Sequence, residues 1–187
     1  MQAIDLLLTR RSARALTGPA PDQGALELIF ASATRAPDHG RLRPWRFVVV
    51  RAEARARFGE LLAAHLRRTR ADASAESLER ERHKAFRAPL IVVVAARCNL
   101  QVKKVPPIEQ TLAAGAAAHA MMLAASALGF GAMWKTGGAA YDPEVASALG
   151  LQAGDAIVGF MYLGTDGGEP PPPAHGGWQD LVSEFGP

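Results

Sequence analysis

One cysteine, Cys98, stands among the 187 residues. A lone cysteine excludes an intramolecular disulfide, a CxxC redox pair and a cysteine-built metal site, and it fits a reducing, cytoplasmic setting. Charge of one sign is also lacking: 21 Lys and Arg face 18 Asp and Glu, a net charge of +3. The arginines are spread along the chain instead of gathered in one segment, so no nucleic-acid partner is expected. The opening MQAIDLLLTRRSAR has an acid before its apolar run and two arginines after it, the reverse of a secretory signal. Aromatic residues are few, 6% of the chain, yet 49% of residues are hydrophobic, enough for one sizeable core. Residues 1–187 are therefore expected to form a single domain.

Signatures of side-chain catalysis are absent as well. There is no GxSxG elbow, and Cys98 closes an apolar run, a core position. His65, His83, His119 and His175 are isolated from any metal-ligating spacing, so no metal is expected. Gly129-Phe130-Gly131 lacks the third glycine of a dinucleotide fingerprint and follows a helical stretch instead of linking strand to helix. Missing acid, base and nucleophile are compatible with an enzyme whose cofactor carries the chemistry. The charge-free run from Thr111 to Trp134 is long enough to span a bilayer, but it consists mostly of Ala and Gly and carries His119. It reads as a helix buried in protein, with no membrane role.

What is present is a mixture of helical and extended periodicities, which predicts an α+β layered domain. Ala3 to Arg11 places Ile4, Leu7 and Leu8 at helical spacing, and Asp22 to Arg35 is a helix with Asp22 as N-cap and Leu26, Ile29, Phe30 and Ala33 on one face. Trp45 to Arg51 reads as a strand, and Glu53 to Arg70 as a helix with Phe58, Leu61, Leu62 and Leu66 inward. The charged stretch 74–87 is either a solvated helix or a flap. Pro89 precedes LIVVVAAR, a strand covered on both faces. Glu109 to Leu128 is a long helix of small residues suited to a central or dimer-forming place. AMWKTGG is a short strand entering a glycine turn, Asp142 to Leu149 a short capped helix, and Ala156 to Leu163 a further strand. The tail carries four prolines at 170–173 and a segment, Trp178 to Phe185, read as an edge strand.

Three clusters are candidates for binding. Arg10, Arg11, Ser12 and Arg14 offer charge-assisted donors and a hydroxyl within five residues, the chemistry that holds a phosphate monoester, or else a solvated helix end. Asp38, His39 and the run Arg41 to Trp45 form a polar loop before a strand. There His39 either meets a ligand or stabilises a turn in which Asp38 is the acceptor. Lys135, Thr136 and Gly137 supply a cation, a hydroxyl and permissive backbone for further phosphate contacts, or simply lead a strand into a turn.

In order and spacing, LLLTRRSAR (6–14), RAPDH (35–39) followed by Pro44-Trp45, FRAPLIVVV (86–94), GFGAMWKTG (129–137) and IVGFMYLGT (157–165) resemble the flavin-dependent nitroreductases, in particular the short YdjA-type NAD(P)H nitroreductases. The resemblance covers nearly the whole chain. It implies a three-layer α+β fold with a central, mostly antiparallel sheet flanked by helices, in an intertwined homodimer with two FMN molecules at the subunit interface. By motif position, Arg10, Arg11 and Ser12 would hold the FMN phosphate and its surroundings. Arg35 and His39 would contact the cofactor from their loop, and Trp134, Lys135 and Thr136 would complete the pocket. Ala124 to Gly129 corresponds to the region associated with the nicotinamide.

Two departures stand out. Lys135 occupies a position more familiar as arginine, exchanging a bidentate fork for a point charge, and Arg43 stands where glutamine is expected. The implied reaction is ping-pong: hydride passes from NADH or NADPH to flavin N5, and a small-molecule electron acceptor such as a nitroaromatic or quinone then takes its place. Arg14 or Arg35 would stabilise the reduced, anionic flavin. A non-catalytic FMN storage or sensor protein is the competing reading, ahead of an enzyme that consumes its flavin or removes halogen and of a purely structural role.

Overall fold

A computed structural model describes residues 2–168 and 177–186; the prolines at 170–173 and His175 lie outside the described residues. Along the chain run α1 (Ala3–Thr9), β1 (Leu16–Thr17), α2 (Gln23–Ala33), β2 (Trp45–Arg51), α3 (Ala54–Thr69), α4 (Ala75–His83), β3 (Leu90–Ala96), α5 (Pro107–Ala127), β4 (Gly131–Lys135), α6 (Pro143–Ala148) and β5 (Ala156–Asp166). Short 3-10 turns lie at His39–Arg41, Lys84–Phe86, Gly138–Tyr141 and Gln179–Leu181.

The layering follows from β3, whose seven residues are all buried. Side chains alternate across a strand, so a fully apolar one must be covered twice. Ile91, Val93 and Ala95 pack with Phe58 and Leu62 of α3 and Val145 of α6. Leu90, Val92, Val94 and Ala96 pack with Leu26 and Ile29 of α2 and with Ala114, Ala117 and Met121 of α5. Three layers result, with helices on both faces of one sheet.

Every strand pairing among the described residues is antiparallel. β3 lies between β2 (Val93 opposite Val48) and β5 (Val93 opposite Phe160). The far edge of β5 is shared: β4 pairs with Phe160 to Gly164, and β1 with Thr165 and Asp166. A register shift leaves Val158 without an opposite residue on β3.

Local signals explain most element ends. Asp22 Oδ1 accepts from the Ala25 N–H at 2.8 Å and starts α2. The small residues of α5 let it lie flat on the sheet. Its buried Gln110 is fully engaged, accepting from Asn99 N–H at 2.7 Å and donating to the Asn99 and Val105 carbonyls. No helix among the described residues is long and apolar enough to cross a membrane.

The charged stretch 74–87 forms α4 and a turn, docked on α3 with Ser77, Leu78 and Ala85 buried. Gly59 permits that approach, since a Cβ there would stand 2.8 Å from the Arg82 carbonyl oxygen. The tail departs from expectation. Trp178 to Phe185 forms no edge strand: Gln179–Leu181 is a 3-10 turn, no strand pairs with the segment, and Trp178, Leu181, Val182 and Phe185 stay exposed. Its apolar alternation lacks the hydrogen-bonding neighbour that makes a strand stable.

Candidate functional site

The segment after α1 is drawn onto β4. Ala13 N–H donates to the Ala132 carbonyl at 2.9 Å. Gly131 makes room for it, because a Cβ there would lie 2.6 Å from Leu16 and 3.2 Å from Ala13. The consequence is electrostatic. Arg14 meets Lys135 in a cleft of about 440 Å³, lined also by Ala15, Leu16, Met133 and Arg87. None of Arg14, Arg87 and Lys135 has a carboxylate partner among the described residues.

An adjoining cavity of about 370 Å³ shares Arg87 and Lys135 and adds Thr136, Gly137, His65, Lys84, Glu81 and the wall residues Leu62, Leu66 and Phe160. Glu81 is taken by Lys84. His65 Nδ1 lies 2.6 Å from Asp142 Oδ2, and because a carboxylate only accepts, Nδ1 carries the hydrogen and Nε2 is turned towards Gly138. Burial works against ionising Asp142, but hydrogen bonds from His65, Arg68 and the Glu144 N–H outweigh it and hold the carboxyl at about 2. Tyr162, at the cavity's base, is pushed up to about 12 by burial, with Arg87 pulling the other way, and stays a neutral phenol.

The other sequence candidates fall in different places. Trp134 lines none of these cavities: strand alternation puts it on the opposite sheet face from Met133, against the core beside α2 and α5, with its indole Nε1 donating to the Val158 carbonyl at 3.3 Å. Arg11 Nη2 pairs with Asp166 at 2.7 Å, while its Nη1 is buried without a partner among the described residues, beside a small cavity of about 200 Å³ lined by Thr9, Ser126 and Phe130. Arg10 closes α1 by donating its N–H to Leu6, and Ser12 is exposed.

Arg35 and His39 line neither cation cleft. His39 sits with Nδ1 2.6 Å from Glu109 at the start of α5. Its loop is conformationally demanding: Gly40, Arg41 and Arg43 have φ of 78°, 55° and 49°, and Asp38 accepts from the Arg43 N–H at 2.6 Å. Left-handed arginines are costly and cluster where a loop presents groups to a ligand. Thus one chain unites Arg14, Lys135 and Thr136 and holds Arg35 and His39 apart. Another cavity, about 490 Å³ between Tyr141, Asp155, Thr111 and Val158, has no cation in its lining and is set aside as the anion site.

Arg87 received no role from the sequence. Its signal was local: a cation between two small residues that both prove buried, Ala85 and Ala88, directly before a fully apolar strand.

The Nitroreductase family profile matches residues 7–165. The chain is 43% identical over 165 residues to Putative NAD(P)H nitroreductase YdjA of Escherichia coli K12, covering 88% of each chain. Among solved structures, a nitroreductase-like family protein of Bacillus cereus superposes with a TM-score of 0.84 at 23% identity, over 99% of this chain and 96% of that one. The FMN and NADPH-dependent nitroreductase NfnB of Sphigopyxis sp. strain HMH gives 0.79 at 21% identity over 100% of both chains. These structures share the fold of this chain, and the family profile with the YdjA relative shows that the chain belongs to the nitroreductase family.

Proposed function

We propose that the protein is an FMN-dependent oxidoreductase that takes electrons from NADH or NADPH and passes them to a small nitroaromatic, quinone or similar acceptor. The observation that carries this is the meeting of Arg14 and Lys135, two cations without carboxylate partners among the described residues, in a cleft beside the Thr136 hydroxyl. That donor set fits a phosphate monoester, whose charge of about −2 needs several cations. Arg11, whose Nη1 has no partner among the described residues, borders a separate small cavity near the end of α5. The names of YdjA and NfnB, the first an NAD(P)H nitroreductase and the second FMN and NADPH-dependent, support the same reading.

Bound FMN would supply two-electron chemistry in alternating half-reactions, first with the nicotinamide and then with the acceptor. The chain's own residues bind and orient. Because Arg14 shares its cleft with Lys135, we assign it with Lys135 and Thr136 to the phosphate end, flanked by Arg10, Arg11 and Ser12. Arg35 is left to stabilise negative charge at the pyrimidine edge. Trp134, fixed to β5, lies on the other face of the sheet and is given no part in the phosphate end. The separation of Arg35 and His39 from that cleft within one chain supports a site completed across a homodimer. The lone Cys98, half-buried and unpaired, supports a reducing, cytoplasmic setting.

The test is the visible spectrum of the purified protein after FMN addition and desalting, followed by anaerobic NADPH and then NADH. A retained band that bleaches supports the reductase. A band that persists with both nucleotides identifies a storage or sensor protein instead, and no retained band overturns the flavin assignment.

A further inference from the structure

We propose that Arg87 is a third phosphate-binding cation of this site, acting with Arg14 and Lys135 from the lining of the same cleft. The proposal rests on the flavin reading above and extends it to a residue outside the RRSAR, RAPDH and WKT clusters.

Three observations converge. First, Arg87 is rigidly seated although its side chain is free. Ala85 and Ala88 on either side are 0% and 1% exposed. Arg55 clamps both flanks, lying 5.3 Å over the Phe86 ring and donating to the Ala88 carbonyl at 3.1 Å. Pro89 is wedged against Gly164, where a Cβ would stand 2.7 Å from its ring. A side chain projected from so fixed a backbone loses little freedom when it binds.

Second, Arg87 has no carboxylate partner among the described residues. Glu81 borders a cavity shared with Lys135 and is engaged by Lys84; Glu76 and Glu79 border another cleft beside Arg87 and are engaged by Arg80 and by Arg82 with His83. Arg14, Arg87 and Lys135 therefore line one cleft as like charges, an arrangement that an anion bound there would stabilise.

Third, the chemistry of the set is complementary. Lys135 offers a point charge, whereas a phosphate is held best by a planar fork donating two parallel hydrogen bonds. Arg87 borders both clefts that Lys135 borders, so it supplies the fork that a lysine cannot.

The experiment is titration of the full-length protein with FMN and, separately, with riboflavin, which lacks the phosphate, read by quenching of flavin fluorescence. Arg87→Gln should weaken FMN binding roughly tenfold to a hundredfold, the value of a lost charge-assisted contact, and leave riboflavin binding unchanged. Arg87→Lys should recover part of the loss. If Arg87→Gln binds FMN as tightly as the wild type, or loses both flavins equally, the proposal is overturned. Should Arg87→Gln fail to fold, Arg87→Lys decides: weakened FMN with unchanged riboflavin supports the role, and unweakened FMN removes it. A wild type that binds neither flavin defeats the functional reading itself and this proposal with it. A wild type that binds FMN beside an indifferent variant defeats Arg87 alone.

Discussion

Trp134 Nε1 donates to the Val158 carbonyl at 3.3 Å, passing over Gly159, where a Cβ would stand only 2.1 Å from that nitrogen. The contact exists because the register shift in β5 takes Val158 out of the ladder with β3, freeing it to serve the indole. Only glycine at 159 allows the ring so close to the strand. Gly159→Ala should therefore displace Trp134 and cost about 1–3 kcal/mol of stability, seen as a lower urea midpoint with unchanged slope. Trp134→Ala in the same chain removes both clashing atoms, Nε1 and the Cδ1 at 2.6 Å, so the double variant should be less destabilised than the sum of the singles. Strict additivity would show that the two residues do not meet.

The pairing of His65 with Asp142 joins residues 77 apart and fastens the turn after Lys135 to α3. Asp142 also caps α6, accepting from the Glu144 N–H at 2.8 Å. Its carboxyl is held at about 2 against an ordinary 3.8, so the folded state favours the ionised form. The stability this supplies is present above the ordinary value and is lost as pH falls from about 4 towards 2. Asp142→Asn should be less stable than the wild type at pH 7 and should lose less on acidification through that window. Urea unfolding at a series of pH values checks this; parallel curves for the two proteins would refute it.

Gly131 sets the spacing between the arginine segment and β4. A Cβ there meets Leu16 at 2.6 Å, Asp166 at 2.9 Å and Ala13 at 3.2 Å, all on or near the strand that Arg11 and Arg14 flank. Gly131→Ala should push that segment outward, misplacing Arg14 relative to Lys135. The expected result is FMN affinity reduced at least severalfold, with a stability loss of about 1–3 kcal/mol. Unchanged flavin retention would show that the cleft does not depend on this approach.

These glycines mark where sequence reading runs out. β2 is read at its full extent, Trp45–Arg51, and β3 falls within its apolar run, because continuous β-branched residues have one physical use. Asp22 and Asp142 cap α2 and α6 as expected from their types and places. Leu16–Thr17, by contrast, is too short to show a period. Gly164 reads as a stop, although β5 continues to Asp166, since the glycine is there for the approach of Pro89 and Thr17. Within the site, Arg14, Lys135 and Thr136 are brought together from motifs already visible. Arg87, His65 and Asp142 join them only through tertiary packing, which local spacing does not encode.

The last prediction concerns the proposed homodimer. α1 rests against α5 yet buries none of its own residues, leaving Ile4 56%, Leu7 51% and Leu8 79% exposed. Nearby chemistry repeats the pattern: Ile108 and Leu112 of α5 are each 64% exposed, and the tail leaves Leu181 and Phe185 uncovered. A monomer rarely tolerates so much uncovered apolar surface, whereas a helix face of this kind is readily buried against a second copy. Two glutamates on that face, Ile4→Glu with Leu8→Glu, would each have to be desolvated in the interface, so self-association should weaken on the order of a hundredfold or more. Because Arg35 and His39 lie apart from the Arg14–Lys135 cleft, loss of the partner should also strip the site of those contacts. The variant should run as a monomer by light scattering and lose FMN on desalting, while its far-UV circular dichroism stays near wild type. A variant that remains dimeric would take α1 out of the interface, and a monomer that keeps its flavin would place the whole site within one chain.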